Sequence, residues 1–160
     1  MKYLKLFESP IKHSDPIAIN NILNDFSRKI EDVIILLKKL DNFNSTVRRY
    51  FLGNGNIRII YNSNYSKLLT VELKSNSKDV DLTIYSYIVR NNEIVNKNSI
   101  DFFNFVNFKL KKYEIDDGQY FNISSNATIK HYNFPIHKLN TILNEIEEYG
   151  NFIEMNKYNL

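Results

Sequence analysis

At 160 residues the chain has the size of one domain, and 43% hydrophobic with 24% charged residues argues against a disordered polymer. The absence of Cys excludes disulfides, thiol nucleophiles, thiolate zinc sites and iron–sulfur clusters, and it fits a cytoplasmic location. The net charge of +3 hides a gradient, since residues 1 to 60 carry +4, residues 61 to 113 carry +3 and residues 114 to 160 carry −4. Asn fills about one position in seven beside abundant Ile, Lys and Tyr, a bias of AT-rich codons that fits a phage, a mobile element or a low-GC bacterium.

The start, MKYLKLFESPIKHSDP, lacks an apolar run of signal-peptide length. Tyr3 to Phe7 reads equally as a short strand or a helical turn. The first strong element is a helix from Pro16 to Leu40, with Asp15 placed as N-cap and Pro16 at the first helical position. At about 100° per residue, Ile19, Ile22, Leu23, Phe26, Ile30, Val33, Ile34, Leu37 and Leu40 fall in one core-facing stripe. Leu36 lies at its border, and Ile17 and Ile35 project from the polar side. Those three residues are candidate partner contacts. The longest aliphatic run, Val33 to Leu37, is far short of the ~20 residues that span a bilayer, so no membrane association is expected.

Beyond Ser45 the apolar period changes from 3.6 to 2. Val47 to Leu52 and Ile57 to Tyr61 form a hairpin whose Asn54-Gly55 pair suits a tight turn. Leu68 to Lys74 and Val80 to Val89 extend it to a four-stranded antiparallel meander with one apolar face. Ser99 to Tyr113 follows as a helix capped by Ser99, with an aromatic strand as the alternative, because its apolar residues spread around the helical wheel. Gln119 to Ser124 and Ala127 to Tyr132 form a second hairpin. Pro135 opens a final helix that buries Ile136, Leu139, Ile142, Leu143, Ile146 and Ile153, and Gly150 either ends or interrupts it. The expected fold is a single α+β domain over residues 1 to 160, with the helices packed on one face of the sheet.

Catalytic patterns are sparse. His13, His131 and His137 show no metal-ligand spacing, and no metal or other cofactor is expected. A site joining His131 to Asp116 or Asp117 is the one enzymatic arrangement to test, as a hydrolase or nuclease. Gly53-Asn54-Gly55 lies between strands and lacks the lysine of a phosphate loop.

The richer signal is basic and aromatic. Arg48, Arg49, Tyr50 and Arg58 on the first hairpin, with Tyr85 and Tyr87 on the fourth strand, offer guanidinium and phenol groups on a sheet surface. The same residue types are ordinary occupants of a solvated antiparallel face. The leading expectation is a small non-enzymatic binding protein, a phage- or mobile-element inhibitor or adaptor that engages a partner protein or pairs as a homodimer. The alternative is a nucleic-acid binding module using the arginines and tyrosines.

Overall fold

Helix α1, Pro16–Leu40, and the strands β1, Ser45–Phe51, β2, Ile57–Ser63, β3, Lys67–Ser75, and β4, Asp79–Tyr87, follow one another as the periodicity predicts. They are succeeded by α2, Lys97–Leu110, β5, Ala127–Pro135, and α3, Leu139–Tyr158. This is a computed structural model, and it describes residues 16–41, 43–64, 66–76, 78–87, 97–115 and 127–158. The expectations placed on Tyr3 to Phe7, Asp15, Asp116-Asp117-Gly118 and Gln119 to Ser124 lie outside the described residues.

The five strands form one antiparallel sheet in the order β1-β2-β3-β4-β5. The meander is thus extended by β5, which lies along β4 over its whole length. That pairing was not expected. Alternation makes one face apolar: Ile57, Ile59 and Tyr61 stand opposite Leu73, Val71 and Leu69, which continue into Leu82 and Ile84 and then Tyr132. All of these are buried. A register shift between Tyr61 and Asn62 leaves Leu68 and Leu69, adjacent in sequence, both fully buried.

Helix α1 lays its stripe across this face, with Leu23, Phe26, Ile30, Ile34 and Leu37 at 1% exposure or less. Phe26 meets Phe134 of β5 with ring centres 6.4 Å apart. Helix α2 covers the β4 and β5 side and buries Phe102, Phe103, Val106 and Leu110. The stretch is a helix and not an aromatic strand, and it starts at Lys97, so Ser99 is buried inside its first turn instead of capping it. Phe108 stays in solvent, so the wheel's wide apolar spread is not matched by burial on all sides.

Pro135 ends β5 instead of opening a helix, and a 3₁₀ turn over Ile136–Lys138 leads into α3. Gly150 neither ends nor interrupts α3. It is buried at the crossing with α1, where an added Cβ would lie 3.2 Å from Val33 Cγ2 and 3.5 Å from Leu36 Cδ1. A side chain there would press on Val33, which gives the glycine a packing reason set against its helix-propensity cost of ~1 kcal/mol. The first hairpin turns through a three-residue 3₁₀ loop, Gly53–Gly55, with Gly55 at φ +76°. This is a longer turn than the two-residue form that Asn-Gly favours, and glycine fills its left-handed position.

Polar groups tie the layers together. Asp41, just past α1, accepts hydrogen bonds from the Tyr61 hydroxyl on β2 and, at 2.7 Å, from Asn98 Nδ2 on α2. Tyr132 donates to Asn107 Oδ1 at 2.8 Å. Burial raises the hydroxyl pKa values of Tyr61 and Tyr132 well above the ordinary phenol value, with the Asp41 and Glu114 charges adding to it. No described helix is long and apolar enough to cross a membrane.

Candidate functional site

The opposite face of the sheet carries no described helix, and register places its side chains in rows. One row runs Arg48, Ile60, Thr70, Tyr85 and Ile129 from β1 to β5. The next runs Tyr50, Arg58, Glu72, Thr83 and His131, and a third continues Lys74, Asp81 and Asn133. Arg48, Tyr50, Arg58, Tyr85 and Tyr87 therefore share this face. The Tyr85 and Tyr87 rings stack at 6.3 Å and 13°, and the Lys67 ammonium stands 5.9 Å from the Tyr87 ring.

Arg49 belongs to the other side. Its Nε lies 3.1 Å from Glu31 Oε2, and its Nη1 lies 3.2 Å from Asn24 Oδ1 and from Ser27 Oγ. Its guanidinium also sits 5.2 Å from the Phe51 ring. Arg49 thus fastens β1 to α1 and is not part of the basic surface. Arg58 is matched across the strands, with Nε 3.0 Å from Glu72 Oε1. Of these arginines only Arg48 has no carboxylate partner among the described residues. Pairing removes most of the positive field that phosphates would need.

The helix candidates lie on the far side of the sheet from the tyrosines. Ile17 is 72% exposed, Ile35 is half-buried, and Leu36 packs on the core beside Gly150. The two groups cannot form one continuous patch. Leu36 also lines, with Lys29, Asp32, Val33, Glu147, Gly150 and Asn151, a groove of about 280 Å³ between α1 and α3. An ion pair between Lys29 and Glu147 bridges those helices.

His131 sits with Nε2 3.5 Å from Asp81 Oδ1, and Asp81 also accepts from Asn133 Nδ2 at 2.7 Å. Asp116 and Asp117, either of which the sequence offers as a partner for His131, lie outside the described residues, and Asp81 is a neighbour that sequence patterning does not reveal. The only signal that could have found Asp81 is the β4–β5 register, which sets Asp81 opposite Asn133, two residues from His131. Among the described residues no three His, Asp or Glu side chains gather as a metal site. At the neighbouring β5 edge, the 2.7 Å hydrogen bond from Lys130 holds the Glu114 carboxyl below its usual pKa.

A second feature comes from the sheet's border. Among the described residues β1 pairs on one side only, with β2, and it presents Tyr50 at 41% and Phe51 at 63% exposure. An added Cβ on Gly55 would lie 3.0 Å from Asn20 Oδ1, so the first turn of α1, with Ile17, lies at the hairpin end of this strand. Phe51 is not among the sequence candidates; the register sets it opposite Ile57, on the face that α1 covers. It protrudes because it sits at the end of an edge strand. Comparison with family models, curated proteins and solved structures finds no match to this chain.

Proposed function

We propose that this chain works by binding another protein, as an inhibitor or adaptor, and that it does so by accepting an extended segment of its partner along β1. The observation that carries the reading is a seven-residue edge strand, paired on one side among the described residues, that exposes Arg48 and Tyr50 on one face and Phe51 on the other. Strand addition draws affinity from main-chain hydrogen bonds and specificity from alternate side chains. A carboxylate on the incoming strand pairs with Arg48, and an apolar side chain packs on Tyr50. The cysteine-free composition supports placing the encounter in the cytoplasm.

The test is selection from a random peptide display library against the full chain, followed by titration of the winners. Enriched peptides alternate acidic and apolar residues. Arg48→Glu and Tyr50→Ala each weaken them on the order of tenfold, and N-methylation of the peptide backbone abolishes binding. Enrichment that ignores both substitutions, or no enrichment at all, overturns the reading. Salt-dependent binding of single-stranded DNA that is lost in Arg48→Ala would give the open face to nucleic acid instead.

A further inference from the structure

Helices α2 and α3 meet through aromatic rings on one flank. Tyr149 stacks on Phe105 with ring centres 4.4 Å apart and 26° between planes, and it tilts against Phe102 at 5.6 Å. One helical turn further along each helix stand Phe108, 77% exposed, and Phe152, 60% exposed, followed by Met155 at 65%. The outer side of this seam is therefore apolar and in water, on the opposite layer from β1.

Charge around the seam is divided between the two helices. The α2 end carries Lys109, whose ammonium lies 5.9 Å from the Phe105 ring, followed by Lys111 and Lys112. The α3 side carries Glu145 and Glu148, and among the described residues neither has an ion-pair partner. At helical spacing Glu148 is one turn before Phe152 and two before Met155. Asp101 of α2, whose charge acts on Tyr149, is outnumbered on its side of the seam by Lys109 and Lys112, so a net basic aromatic half lies beside an acidic aromatic half.

We propose that this seam is a two-fold interface between two copies of the chain. A two-fold axis through the Phe105–Tyr149 contact exchanges the halves. Phe108 of each copy then covers Phe152 and Met155 of the other, and Lys109 and Lys112 face Glu148 of the other copy. An isologous contact needs a self-complementary patch, and the charge division supplies one. A foreign partner would have to reproduce the same pattern.

Sedimentation equilibrium of the full chain checks this, with a mass of twice 19.0 kDa expected at micromolar concentration. Phe108→Glu and Phe152→Glu each shift the species to one chain mass while the circular dichroism melt is kept, since both side chains lie in solvent. Glu148→Lys raises the dissociation constant on the order of tenfold, and adding Lys112→Glu restores it. A wild-type chain that stays at one chain mass up to the solubility limit overturns the proposal. So does a dimer that survives both phenylalanine substitutions. Peptide capture on β1 is read separately in the Phe108→Glu variant, so the two proposals fail independently.

Discussion

On the covered face Ile59, Val71 and Ile84 stand in one row across three strands at 1% exposure or less; on the open face the adjacent row runs Arg58, Glu72 and Thr83. The first row excludes water and draws its stability from apolar contact with α1. The second neutralises its own charges by cross-strand pairing. A row that satisfies itself has little left to offer a ligand. The surfaces left for recognition are therefore at the sheet's border and on the α2–α3 seam, where side chains remain in solvent.

The largest effect expected from disturbing this contrast is in the covered layer. Phe26 is fully buried and lies against Phe134, so Phe26→Ala is expected to cost about 3–5 kcal/mol of unfolding free energy in a urea titration. A loss below ~1 kcal/mol would mean that α1 does not seat on the sheet as described. Alkali probes the same layer through its tyrosines. The phenols of Tyr61 and Tyr132 have pKa values raised first by burial, so the fold holds their protons more tightly than the unfolded chain does. Their contribution is complete below pH 10 and is lost as pH rises above it towards the raised values, at up to about 1.4 kcal/mol per pH unit for each group. Stability measured from pH 8 to 12 should fall accordingly, and Tyr132→Phe should flatten part of that slope. An unchanged slope in that variant would remove Tyr132 as a contributor.

Asp41 gives the next effect. It receives hydrogen bonds from Tyr61 and Asn98 and so joins α1, β2 and α2. Asp41→Ala leaves the buried Tyr61 hydroxyl without this acceptor, and a cost of about 1–3 kcal/mol is expected. Pairing it with Tyr61→Phe should recover part of that loss. Full additivity of the two changes would show that they do not share a bond.

The covered face was legible in the sequence because burial writes a period into the chain. The stripe of α1 and the alternation in β2, β3 and β4 gave the fold class, the element order and most of the core. What periodicity does not carry is pairing. Nothing within Ala127 to Pro135 indicates that β4 is its neighbour, so Asp81 beside His131 could not be read. Gly150 had the same ambiguity, since a helix breaker and a helix-crossing glycine are one letter. Arg48 and Arg49, adjacent in sequence, were grouped as one basic patch, yet the pleat sends them to opposite faces. Alternation alone could have separated them. Phe51 and Phe108 are aromatic residues that end in solvent, at the edge of a sheet and on the flank of a helix, and their residue type alone does not tell them from core aromatics.

The smallest expected effect distinguishes the two faces most directly. Arg58–Glu72 and Arg49–Glu31 are ion pairs that each hold a strand arginine, with Nε–O distances of 3.0 and 3.1 Å. The first is on the open face, with 39% of the Arg58 side chain exposed. The second lies between β1 and α1, with 18% of Arg49 exposed and Asn24 and Ser27 also within reach. A double-mutant cycle on Arg58 and Glu72 is expected to give a coupling of about 0.2–1 kcal/mol that shrinks in high salt. The cycle on Arg49 and Glu31 should exceed it and respond less to salt, because water screens that pair less and its hydrogen bonds are lost with it. Equal couplings with equal salt dependence would mean that the layer over β1 does not exclude water, and the contrast between the faces would then end at β2.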